Sequence, residues 1–220
     1  MAVTGDTLAS GFASELRVRT SDVHRRAETS GFMRALFSGR LDRSGYATYV
    51  SQLHAVYGEL DATAERMATD PVAGPFADPR LDRREALVRD LAYLLGSSAA
   101  QPPPLLPATL EYRDRLRAVA RDWPGGFVAH HYTRYLGDLS GGRRIAEAVR
   151  RHITGGASGT SFYDLPVGDP DAYKAAYRAR LDAAPWDAAE RERIVAEVVV
   201  AYRLNEALLR EVADACGLAP

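Results

Sequence analysis

The chain has 220 residues, 46% of them hydrophobic and 26% charged, with a formal net charge of −1. That length and composition suit one soluble globular domain, spanning 1–220 with 1–7 as a flexible N-terminus, and the small net charge excludes a global field favouring nucleic acid or an anionic membrane. A single cysteine, Cys216, excludes an internal disulfide and fits a reducing cytoplasm; no signal-peptide pattern, membrane anchor or bilayer-length apolar run is present.

Hydrophobic periodicity is helical nearly throughout. Leu8, Phe12, Leu16 and Val23 recur at spacings of four and seven and predict a first helix from about Leu8 to Glu28. A short helix over Phe32–Phe37 ends at Gly39. Asp42 or Ser44 is placed to cap a long helix through Tyr49, Leu53, Val56, Tyr57 and Leu60 to Met67, stopped by Asp70-Pro71. A helix over Asp82–Leu95 closes at Gly96, and Ser97–Pro107, with Pro102-Pro103-Pro104, is a connector. Thr109–Arg121 is helical and is broken by Trp123-Pro124-Gly125-Gly126. A long helix follows from about Phe127 to His152, then a glycine- and serine-rich loop over Thr154–Gly168, a helix over Pro170–Leu181 and a last one over Asp187–Cys216. The fold class is all-α, with about eight helices in a single domain.

The most informative stretch is Tyr132-Thr133-Arg134-Tyr135-Leu136-Gly137-Asp138-Leu139-Ser140-Gly141-Gly142, inside the Phe127–His152 helix. Glycine in a helix interior costs roughly 1 kcal/mol relative to alanine, so Gly137, Gly141 and Gly142 together need about 3 kcal/mol of compensation. Either another backbone packs against them or a flat ligand lies on the bare helix.

The five histidines are His24, His54, His130, His131 and His152. No zinc-type His-Glu-x-x-His pattern occurs, no glutamate stands three residues before a histidine as a di-iron bundle requires, and no phosphate-loop or dinucleotide glycine signature is present. Glu28 lies one helical turn after His24, where a carboxylate orients an imidazole as a metal ligand, and Arg17 lies seven residues before it. A cation, an imidazole and a carboxylate on one stripe suit a metal-bearing anion; they equally suit a solvated, salt-bridged face. Lys174, the sole lysine, and Arg178 form another spacing-four pair, which by itself reads as a solvent-facing basic stripe. Asn205, between Leu204 and Glu206, needs partners if buried.

Taken together, these segments strongly resemble the heme oxygenase family. Tyr132 to Gly142 is similar to that family's distal-helix signature, Val23-His24-Arg25-Arg26-Ala27-Glu28 to its proximal-ligand segment, Tyr173-Lys174-Ala175-Ala176-Tyr177-Arg178 to its propionate-binding segment, and Leu204-Asn205 to part of its last pocket helix. The similarity runs in order from about Leu8 to Glu211. It implies a single heme oxygenase-like bundle with heme b, both substrate and cofactor, between the first helix and the glycine-bearing one. By the resemblance, His24 is the proximal iron ligand and Glu28 its partner. Gly137 and Gly141, with Gly142 beside them, are where the distal backbone meets the porphyrin.

The resemblance also implies that Asp138 carries the chemistry by ordering water near the iron, within a polar network of Arg134, Tyr57 and Asn205. Arg17, Tyr132, Lys174 and Arg178 are expected to clamp the propionates and so set which meso carbon is attacked. The expected reaction consumes O2 and electrons from an external reductase, ferredoxin or flavodoxin-type donor and yields biliverdin, carbon monoxide and ferrous iron. Arg25, Arg26, Arg143 and Arg144 suit an acidic donor or an ordinary solvated face. Three details depart from the animal members: Arg17 is an arginine, which keeps the charge, Tyr202 stands where a phenylalanine-like wall residue is expected, and the chain stops at Pro220 without their long C-terminal extension. A heme carrier would need His24 and the clamp but neither Asp138 nor the distal glycines.

Overall fold

Helical periodicity becomes ten α-helices among the described residues, because two of the eight predicted helices are interrupted. The structure, a computed structural model, describes residues 11–96 and 102–218. The predicted flexible stretch 1–7, the predicted helix start at Leu8 and residues 97–101 of the connector lie outside that range.

The predicted first helix is two, α1 (Phe12–Arg19) and α2 (Ser21–Glu28). Thr20 separates them with φ −108° and ψ 5°, its hydroxyl donating to the Leu16 carbonyl at 2.7 Å. A threonine hydroxyl returned to the backbone competes with the helical ladder. His24 therefore belongs to the second helix, and Arg17 to the first. Helix α3 (Gly31–Phe37) is capped by Ser30. In α4 (Arg43–Met67) the cap is Asp42, which accepts from the Gly45 amide at 2.8 Å; Ser44 falls inside the first turn.

Two single 3₁₀ turns, Gly74–Phe76 and Pro79–Leu81, lead into α5 (Arg84–Leu95). The connector ends at α6 (Pro107–Val119), where proline occupies the first turn, the one helical position at which its missing N–H costs nothing. Helix α7 (Pro124–His131) starts three residues before the predicted boundary, again on a proline. It continues through a π-helical turn, Tyr132–Leu136, into α8 (Gly137–Val149) and a second π turn, Arg150–Thr154. A pattern read at 3.6 residues per turn does not reveal these wider turns, which recur at functional sites. The predicted loop contains a 3₁₀ turn at Ser161–Tyr163. Helices α9 (Pro170–Ala183) and α10 (Ala188–Ala215) are capped by Asp169 and Asp187.

Helix α10 is the spine, packing against α2, α3, α4, α6 and α7. Its buried face, Ile194, Val198, Leu208 and Val212, belongs to one core with Leu16, Leu53, Val56, Leu60, Phe127 and Val128, all fully buried. Each such side chain contributes about 1.5–3 kcal/mol by leaving water. One buried carboxylate is paired twice: Glu197 on α10 accepts from His130 at 2.9 Å and from Arg115 Nε at 2.9 Å. Burial alone would raise the Glu197 carboxyl; those donors outweigh it and bring it down to about 2. With α3 packed against both α8 and α10, α2 and α8 face each other across a gap.

Candidate active site

That gap is a cleft of about 330 Å³, with walls from α2, α3, α4, the first π turn, α8 and α10. It continues past His24, Gly137 and Tyr202 into a second hollow of about 480 Å³, bordered by Arg17, Tyr132 and Arg178. The combined space is ligand-sized.

On one wall stands His24. All five histidines lie within the described residues, and His24 is the one that lines this cleft. His130 is held by Glu197, His131 by Tyr177 at 3.0 Å, His54 sits on the far side of α4, and His152 is exposed. The His24 Nδ1 lies 3.6 Å from a Glu28 carboxylate oxygen, with 42% and 62% of the two side chains exposed. The ring is buttressed edge-on by Tyr202, centroids 5.6 Å apart at 82°. Glu28 thus faces one ring nitrogen, leaving Nε2 for a ligand on the cleft side.

The opposite wall is α8. A β-carbon built on Gly137 or Gly141 would meet no atom of the described residues within 4 Å, so no packing among them requires glycine there. Gly142 differs. Its β-carbon would sit 3.0 Å from Tyr163 Cδ1, so it is bare because a buried tyrosine presses on it. Of the two explanations open for three glycines, neighbour packing accounts for Gly142 and an open cleft for the other two. Gly142, expected on the ligand face, is turned to the core.

Four expected side chains meet beside α8. Tyr57 donates its hydroxyl hydrogen to Asp138 Oδ2, Arg134 Nε donates to the Tyr57 oxygen at 3.1 Å, and Arg134 Nη1 donates to Asn205 Oδ1. The guanidinium also lies 4.9 Å from the Tyr57 ring centroid. Burial raises the Asp138 carboxyl above its ordinary range; Arg134, the Tyr57 hydroxyl and Arg83 act against that rise. Tyr57 is raised too, first by burial. Asp138 Oδ1 has no protein partner among the described residues.

At the outer hollow, Arg17 and Arg178 form no ion pair among the described residues; burial raises the Tyr132 phenol, and both arginines lie close enough to act against that rise. Lys174, expected with them, does not line the cleft; it is paired with Asp171 at 2.9 Å. Among the wall residues that sequence reasoning missed as site members are Tyr49, Phe37 and Arg144. Tyr49 lies near Arg134 and Asp138, and its spacing of eight from Tyr57, two turns along α4, was the available signal. Phe37 and Arg144 stack at the rim, 5.7 Å apart; nothing in their spacing marks them.

Residues 10–211 match the heme oxygenase family model. The chain belongs to the heme oxygenase family. Heme oxygenase 1 of Nostoc sp. is 34% identical over 206 residues, covering 93% of this chain and 87% of that protein. The heme complex of heme oxygenase-1 from the cyanobacterium Synechocystis sp. has a TM-score of 0.88 at 33% identity, covering 94% of this chain and 96% of its own. Heme oxygenase from Leptospira interrogans gives 0.84 at 33% identity, over 92% and 100%. Among the described residues of this heme oxygenase no helix is long and apolar enough to cross a membrane.

Proposed function

We propose that the cleft holds heme between His24 and the bare face of α8, and that its residues divide the work of heme cleavage as follows. The protein is a heme-degrading oxygenase: with O2 and externally supplied electrons it converts heme to biliverdin, carbon monoxide and ferrous iron. The observation that carries the assignment of roles is a histidine with a free ring nitrogen facing two helical glycines that nothing in the protein requires to be glycine. A planar macrocycle fits that space. The two unpaired arginines at the mouth suit its carboxylates.

Bound heme supplies the iron that activates O2 and the ring that is oxidised. His24 holds the iron through Nε2, while Glu28, directly or through one water, accepts the Nδ1 proton and fixes the ring. Gly137 and Gly141 let the distal backbone approach the macrocycle closely. Asp138 holds water on Oδ1. Its other oxygen is fixed by Tyr57, itself fixed by Arg134, which Asn205 anchors. A carboxyl raised by burial is better matched to proton exchange near neutral pH. Arg17, Tyr132 and Arg178 would hold the heme carboxylates and so would set which meso carbon is attacked. Lys174 joins this clamp only by releasing the exposed Asp171, a pairing of little strength.

For the electron donor we favour an acidic ferredoxin, flavodoxin-type protein or reductase docking at Arg143 and Arg144, which form no ion pair among the described residues. Arg25 and Arg26 are already paired, with Asp22 and Glu206. A cytoplasmic location belongs to the same reading. One equivalent of hemin, followed by ascorbate or a ferredoxin system in air, tests the function. Decay of the Soret band with growth of biliverdin absorption and trapped carbon monoxide is expected; a Soret band that persists under an efficient donor would make the protein a heme carrier.

A further inference from the structure

We propose that a groove on the far side of α4 is a second ligand site, for an apolar molecule bearing one carboxylate, of the fatty-acid class. The groove measures about 680 Å³ and shares no lining residue with the heme cleft. Its floor and sides are apolar: Ala55 from α4, Val88, Leu91, Ala92 and Leu95 from α5, and Leu105 from the connector. The connector wall is fixed in place. Ser51 donates to the Pro103 carbonyl at 3.1 Å, and Gln52 donates to the Pro104 carbonyl at 3.1 Å while accepting from the Leu106 amide at 2.9 Å.

Three features inside the groove lack an explanation among the described residues. Gly58 lies in the interior of the 25-residue α4, yet its β-carbon would meet nothing within 4 Å, the same signature as Gly137 and Gly141. Arg113 Nε is shielded from solvent and has no hydrogen-bond partner among the described residues; a buried donor of a charged group left unmatched is costly. His54, half-buried, makes no side-chain hydrogen bond among the described residues, and burial lowers its pKa, favouring the neutral ring. The bare backbone at Gly58 leaves room for a close-lying chain, and Arg113 supplies a cation with no ion-pair partner among the described residues.

The charge count supports an anion. Glu59, the carboxylate lining the groove, is held by Arg117 at 2.8 Å and Arg66 at 4.0 Å. The Arg113 charge is therefore left for a ligand, and a single carboxylate matches it through charge-assisted hydrogen bonds. The half-buried apolar walls match a hydrocarbon body.

The test uses dodecanoate, below its micelle concentration, on the heme-loaded protein, with binding followed by calorimetry and by the methyl resonances of Ala55 and Ala92. Saturable one-to-one binding that moves both methyls is expected, unaffected by the presence of heme. Arg113→Met should weaken dodecanoate about tenfold while leaving 1-dodecanol unchanged. Gly58→Leu, which fills the groove, should abolish binding of both; Ala92→Phe, on α5, gives the same reading if Gly58→Leu fails to fold. Absence of saturable binding, unmoved Ala55 and Ala92 methyls, competition by heme, or full affinity in the filled variants would each overturn the site.

Discussion

Alanine at Gly137 and Gly141 separates what the bare helix costs from what it allows. Gly137 is helical, φ −60° and ψ −50°, and Gly141 lies inside α8. A methyl at either position meets no atom within 4 Å, so alanine returns its full helix propensity, about 1 kcal/mol per site. For a chain of this size that raises the melting temperature of the heme-free protein by about 2–4 °C per substitution, and the double variant by about twice that. Gly142→Ala is the internal control: its methyl lies 3.0 Å from the Tyr163 ring, and crowding offsets the gain. In the heme-bound state the added methyls occupy the space given to the macrocycle. Overpacking of about 1–3 kcal/mol weakens heme roughly 5- to 150-fold. Melting followed by circular dichroism, with and without heme, and a hemin titration read both halves. If the heme-free double variant melts no higher, or binds hemin as tightly as the parent, these glycines are not kept bare for heme.

Asp138→Ala is expected to bind heme normally and yield little biliverdin, measured as product absorbance per heme; undiminished product would remove Asp138 from the chemistry. His24→Ala should bind heme weakly and lose the histidine-ligated spectrum, and an unchanged spectrum would move the iron to another residue. Asp61 provides a pH test. It is buried, accepts from Tyr135 and from the Arg83 amide at 2.9 Å, and burial pushes it up to about 7 from an ordinary 3.8. Because the folded state holds this proton more tightly than the unfolded chain, the group makes stability fall as pH rises from about 4 to about 7, by up to about 1.4 kcal/mol per unit. Urea unfolding at pH 5 and 8 should show a smaller loss in Asp61→Asn than in the parent; equal losses would refute the shift.

Helix placement was legible because amphipathic spacing and end signals are local. Asp42, Asp187 and Gly96 mark ends that the structure keeps. The interruptions were not legible. Thr20 breaks a helix by a hydroxyl bond that many helical threonines form without breaking anything, and a π turn leaves the hydrophobic pattern nearly intact. For the site, the motif segments placed His24, Arg134, Gly137, Asp138, Gly141 and Asn205 around one cleft. Lys174 is paired with Asp171 and does not line the cleft; whether a long cationic side chain turns to the cleft or to Asp171 depends on which carboxylate is near.

By itself, the sequence determined where most helices lie, the family signature and which residues are candidates for the chemistry, since these rest on residue type and spacing along one chain. Only the tertiary structure decided what each bare glycine faces, Tyr163 for Gly142 and open cleft for Gly137 and Gly141. It also decided that Tyr57, Asp138, Arg134 and Asn205 form one hydrogen-bonded chain. Those facts depend on how α4, α8 and α10 meet, and contacts between residues 71 to 81 positions apart have no local trace in the pattern.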